Sequence, residues 1–105
     1  MMMTSETING VGHMRVNGEM TMYTVIEARG LLQETLLLCK EIEIDLSEVT
    51  EIDSAGLQLL IQVKREGART GMPVRLVCHS PAVQEMIDLY RLAPEFGDPL
   101  VMAPR

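Results

Sequence analysis

The chain has 105 residues, 47% of them hydrophobic, and a formal net charge of −6. That length supports one hydrophobic core and not two. A net acidic chain lacks the clustered Lys and Arg from which nucleic-acid affinity comes, so no nucleic-acid partner is expected.

Tyr23, Tyr90 and Phe96 are the only aromatic residues. The core is therefore expected to be aliphatic, with methionine as filler. Cys39 and Cys78 are too few and too far apart for a disulfide framework. No apolar run approaches the roughly 18 residues of a membrane-spanning helix, and residues 1–10 contain no apolar signal-peptide core. No membrane insertion is expected, and a reducing cytoplasm is the expected location.

In chain order, residues 1–12 are polar and glycine-containing and read as a flexible N-terminal lead, with one domain over 13–105. Met14 and Val16, then Met20 and Met22, alternate with polar residues on either side of Asn17-Gly18. This pattern predicts an antiparallel hairpin, because both turn positions favour residues that accept positive φ. Thr24 and Glu27 have capping-box spacing, followed by Val25, Ala28, Leu32 and Leu36 at helical spacing. A first helix is expected to run to about Leu38.

Ile42, Ile44 and Leu46 alternate with Glu43 and Asp45 and predict a strand with one apolar face. A short polar connection then leads to Asp53 and Ser54, both good N-cap residues. Gly56, Leu59, Leu60, Val63 and Gly67 form the apolar side of a central helix ending near Gly71. Lys64, Arg65 and Arg69 stand near its end, where the helix dipole favours cations.

Val74, Leu76 and Cys78 form another alternating strand, with Cys78 read as a small buried hydrophobe. A strand–helix–strand connection implies parallel pairing with the strand at 42–46. Ser80 and Pro81 open a last helix whose buried stripe is read as Val83, Met86, Ile87 and Tyr90. Residues 100–102 are at most a short edge strand. The resulting α/β order is β-β-α-β-α-β-α: a small mixed sheet with an antiparallel N-terminal hairpin, parallel crossovers and helices mainly on one face.

These stretches carry a resemblance. Val16-Asn17-Gly18-Glu19, Ile44-Asp45-Leu46-Ser47, Ile52-Asp53-Ser54-Ala55-Gly56-Leu57, and the run from Val74 to Pro81 before an amphipathic helix together resemble a STAS domain. That is the fold of bacterial anti-sigma factor antagonists and of the cytoplasmic domain of sulfate transporters. The likeness spans roughly residues 14–100, and Asp-Ser-Ala-Gly after Asp-Leu-Ser is its most specific part. It implies that Ser54 is the serine phosphorylated by a partner serine kinase, itself the anti-sigma factor, with a phosphatase to reset it. Asp53 matches the acidic residue beside that serine, and Gly56 the glycine that lets the first turn pack closely. The chain departs from the antagonist pattern at Thr21-Met22, where an acidic residue is common. The alternative within the family is an accessory subunit of a phospholipid-transport ABC complex that binds its ATPase.

Leu57 and Ile61 lie four apart, off the helix's core side and beside Ser54, each followed by a glutamine, Gln58 and Gln62. Asp53, Ser54, Ala55, Gly56, Leu57, Gln58 and Ile61 are accordingly the expected partner-binding surface, with Leu57 and Ile61 its apolar part. Outside its motif, Ser54 reads first as a helix cap. An enzyme is not expected, since Asp53-Ser54-Ala55-Gly56 is not a nucleophile elbow and the only histidines are His13 and His79. Two histidines and two cysteines without ligand spacing make no metal site, and no cofactor is expected.

Overall fold

Period-two alternation divides the side chains of each strand between two sides of a sheet, and the fold follows from which side the helices cover. The computed structural model describes residues 2–91. In chain order its elements are β1 (Met2–Ile8), β2 (Val11–Met20), α1 (Val25–Leu36), β3 (Glu41–Ile52), α2 (Ser54–Thr70), β4 (Val74–Val77) and α3 (Pro81–Leu89). The four strands lie in the order β1-β2-β3-β4. β1 runs antiparallel to β2, while β2, β3 and β4 are mutually parallel.

Met14, Val16, Ile42, Ile44, Leu46, Val74 and Leu76 are buried on one side. They form a single core with Ala28 and Leu32 of α1, Leu59, Leu60 and Val63 of α2, and Val83 and Ile87 of α3. His13, Arg15, Glu43, Asp45 and Arg75 alternate onto the other side. There His13 pairs with Glu43 at 3.1 Å, Arg15 with Asp45 at 3.5 Å, and Arg75 with Glu41 and Glu43 at 3.7 Å. Such half-exposed pairs contribute about 0–1 kcal/mol each, so the apolar side holds the sheet together.

The chain contains two Asn-Gly pairs, and the hairpin forms at the first. Asn9 and Gly10 take φ of 52° and 82°, and the strands on either side pair from Ile8↔Val11 to Met2↔Asn17. Residues 2–8 are therefore strand β1, not a loose lead. Their alternation is masked because β1 lies at an edge, with every side chain exposed except the partly packed Met3. Asn17-Gly18 instead interrupts the pairing of β2 with β3, where the register shifts twice. Asn17 Nδ2 donates to Glu48 Oε2 at 2.6 Å across this bulge. The bulges let β3 run on through the expected polar connection to Ile52, and its burial spacing changes from Leu46 to Val49 to Ile52.

Two local expectations at the helices are also corrected. Thr24 precedes α1 but makes no capping box. Its hydroxyl donates to the Glu19 carbonyl at 3.0 Å and accepts from the Thr21 N–H at 3.0 Å, which closes the β2–α1 turn instead. Tyr90 caps α3 beyond its last turn and is exposed, leaving Val83 and Ile87 as the buried stripe with Met86 partly packed. Ser80 does cap α3, accepting from Val83 N–H at 3.2 Å with Pro81 following. Gly71 closes α2 at φ 77°. Cys78 leaves the strand at φ 53° and is only partly buried; desolvation, then the Asp45 and Glu43 carboxylates, push its thiol pKa up. The edge strand expected at 100–102 lies outside the described residues.

Helix α2 approaches the sheet closely at Gly56, where a methyl group would overlap the Met20 carbonyl oxygen and crowd its carbonyl carbon. Gly30, on the exposed side of α1, has nothing within 4 Å. Gly56→Ala should lower stability by about 1–3 kcal/mol in urea unfolding, as overpacking does. Gly30→Ala should raise it by about 0.5–1 kcal/mol, as in any exposed helix interior. Equal effects of the two substitutions would contradict this packing.

Candidate functional site

The site is built where β2 and β3 end side by side and the chain turns from β3 into α2. Asp53 has the extended backbone of an N-cap, φ −108° and ψ −175°, and Ser54 is the first helical residue. Asp53 makes the junction with both ends of its side chain. Oδ1 accepts from Gly56 N–H at 3.0 Å, which caps the helix, and Oδ2 accepts from Met22 N–H at 2.9 Å, which ties down the β2–α1 turn. Its own N–H donates to the Met20 carbonyl at 3.2 Å. Burial opposes ionisation of this carboxyl, but the N–H groups of Met22, Gly56 and Ala55 outweigh it and hold the pKa below its ordinary value of 3.8.

Ser54 is exposed on this rigid corner and Gln58, one turn further, is exposed beside it; Ala55 is half-buried and Gly56 is buried. Leu57 and Ile61 are not a contact surface. They are 4% and 7% exposed and belong to the core. The apolar arc of α2 is wider than the stripe of Leu59, Leu60 and Val63 alone, because a helix lying over a twisted sheet buries more than one row of side chains.

The apolar surface near Ser54 comes from the turn that Asp53 tethers. Met22 and Tyr23 are 62% and 87% exposed, and Ile26 in the first turn of α1 is 82% exposed. Ile26 was legible as the apolar residue that falls outside the stripe of Val25, Ala28, Leu32 and Leu36. Met22 was not, because it reads as the next alternating residue of a strand that in fact stops at Met20. Exposed Glu19 and Glu51 are partners in the β2–β3 register, and with exposed Glu48 and Glu27 they give this end of the molecule an acidic rim.

The histidines stand elsewhere. His13 pairs with Glu43 on the open side of the sheet, and His79 is buried with a ring nitrogen 3.3 Å from the Leu76 carbonyl. Among the described residues, no group of three or more His, Cys, Asp or Glu is placed to hold a metal ion. No helix among them is long and apolar enough to cross a membrane.

Removing the Asp53 carboxylate loses the cap and the tether together. Asp53→Ala should cost about 1–2 kcal/mol at neutral pH, and the Met22 amide should exchange faster with solvent. Because the folded pKa is lowered, this contribution is present above 3.8 and disappears as pH falls through the folded value. The stability gap between wild type and variant should therefore narrow in acid, and a gap independent of pH would contradict the bonding at Asp53.

Comparison with known proteins places the arrangement. Among curated proteins, none matches the chain. Among solved structures, the anti-sigma factor antagonist SpoIIAA matches in its unphosphorylated form, with TM-score 0.75 and 19% identity over 99% of this chain and 89% of that one. An anti-sigma factor antagonist from Mycobacterium paratuberculosis matches with TM-score 0.74 and 29% identity over 95% of this chain and 86% of its own. A sulfate transporter family protein from Wolinella succinogenes matches with TM-score 0.74 and 18% identity over 92% and 80%. The SpoIIAA structure in the phosphorylated form from Bacillus matches with TM-score 0.72 and 18% identity over 99% and 92%. The mixed sheet with its antiparallel first pair is the fold these proteins share, and the STAS domain model matches residues 2–103, so the chain belongs to the STAS domain family.

Proposed function

We propose that this chain is a protein-binding switch of the anti-sigma factor antagonist type, controlled by phosphorylation of Ser54. The observation that carries the reading is an exposed serine at the first position of α2, held on a corner where Asp53 tethers Met22 of a turn whose apolar residues Met22, Tyr23 and, in the helix start that follows, Ile26 are exposed. The chain supplies the acceptor and the docking surface, and a partner serine kinase supplies the chemistry. In that step the Ser54 oxygen attacks the terminal phosphorus of a nucleoside triphosphate, the hydroxyl proton is lost and the nucleoside diphosphate leaves. The match to an antagonist found in both unphosphorylated and phosphorylated forms supports the same reading.

The physical basis of the switch is local. A phosphoserine adds about −1.5 to −2 charges at neutral pH. The N-terminus of a helix tolerates negative charge, so the domain stays folded. Docking is another matter, because the phosphate would be stripped of water against the apolar contact made by Met22, Tyr23 and Ile26, and that desolvation opposes the complex. Asp53 already occupies the Gly56 N–H, which leaves the phosphate fewer backbone donors with which to offset the loss.

The chain isolated from its own cells should contain a species heavier by about 80 Da, the mass of one phosphate, that is absent from Ser54→Ala. In pull-downs, Ser54→Ala should retain the partner while Ser54→Asp and Tyr23→Asp should bind at least about tenfold more weakly, a loss of about 1.4 kcal/mol. Wild-type binding by Ser54→Asp would sink the switch. An ATPase that co-purifies with a chain never phosphorylated in any growth condition would move the assignment to the transporter-subunit alternative.

A further inference from the structure

An edge strand presents a row of backbone N–H and C=O groups to whatever can pair with them. Among the described residues the sheet ends at β1 and β4, and the two differ. β4 is four residues long, follows Pro73 and carries Arg75, features that discourage further pairing. β1 is seven residues long, pairs with β2 without a register shift, has neither proline nor lysine, and carries one charge, Glu6.

We infer that β1 pairs antiparallel with β1 of a second copy of this chain, about a two-fold axis at Ser5, joining the two sheets into one. The strand is self-complementary in the one symmetric register that uses all of it. Met2 faces Ile8 of the second copy, Met3 faces Thr7, Thr4 faces Glu6 and Ser5 faces its own equivalent. Pairing with β2 sets Met3, Ser5 and Thr7 against Val16, Met14 and Gly12 on the helix-covered side. Met2, Thr4, Glu6 and Ile8 fall on the open side, and the two-fold preserves that division. Met2 and Ile8, 65% and 47% exposed, cover each other, and each Glu6 meets a threonine hydroxyl. Moving the axis to Glu6 would set carboxylate against carboxylate, and moving it to Thr4 would put Met2 opposite Glu6 and leave Ile8 without a partner. Neither Ser54 nor the β2–α1 turn belongs to the pairing.

Charge at Thr4 tests the partner and the register together. Thr4 is exposed and stands opposite Arg15 in its own chain, so Thr4→Glu gains an attractive neighbour within the monomer while meeting Glu6 across the axis. Thr4→Lys does the reverse. Sedimentation equilibrium of the full chain from micromolar to millimolar should show a monomer–dimer equilibrium. With two equivalent pairs per dimer, Thr4→Glu should weaken it and Thr4→Lys should tighten it, each by about three- to tenfold. Monomer at every concentration would overturn the inference, as would a dimer that ignores both substitutions or responds to them with the opposite sign. Circular dichroism of both variants checks that the sheet is retained.

Discussion

The Asp53 carboxylate holds together the corner on which the proposed function depends. Helix α2 must begin where β3 ends, and its first turn must lie against the end of β2 closely enough that Gly56 touches the Met20 carbonyl. A side chain larger than hydrogen would push the helix away from the sheet, and a helix start without an acceptor would leave its first N–H groups unsatisfied. Asp53 meets the second need with Oδ1 and binds the neighbouring turn with Oδ2. Ser54 is thereby presented on a fixed corner, and the exposed apolar residues of that turn are held near it.

The two sides of the sheet are built differently. One side is covered by three helices and carries the aliphatic core, in which the methionines Met14 and Met20 are fully engaged. The other carries a ladder of polar and charged pairs across β2, β3 and β4, from His13 and Arg15 through Glu43 and Asp45 to Arg75. Glu43 and Asp45, which could pass for paired acids, are thus engaged by neighbouring strands, Glu43 by His13 and Arg75 on either side and Asp45 by Arg15. The candidate partner surface lies on neither side but at the end of the sheet, where strand ends and a helix start converge. Loops held by a rigid scaffold are where binding residues concentrate.

Membership of the STAS family and the docking surface rest on different kinds of observation. The family is legible in short motifs, because Asp53, Ser54 and Gly56 each answer a local requirement: a cap acceptor, a small first helical residue and a close helix–sheet contact. The proposed docking surface depends on which apolar residues remain outside the core. Leu57 and Ile61 looked free because a single helical stripe already held Leu59, Leu60 and Val63. The sheet's twist and the ends of β2 and β3 draw them in, while Met22, Tyr23 and Ile26 stay out.

The sequence by itself determined the three helices, the parallel crossover from β3 to β4, a cap at the Asp53-Ser54 pair and another at Ser80, and the stop at Gly71, since each is set by spacing or by one side chain acting within a turn or two. Only the tertiary structure decided which Asn-Gly pair makes the hairpin. Both have the chemistry for a two-residue turn; the difference is that residues 2–8 find β2 as a neighbour, while Asn17-Gly18 sits inside a strand whose parallel partner continues past it. Tertiary structure also decided the length of β3, whose last residues lose their alternation at the bulges and are strand because β2 runs beside them. A pattern of polar and apolar residues records which side chains need burial, and the partner that buries them comes from elsewhere in the chain.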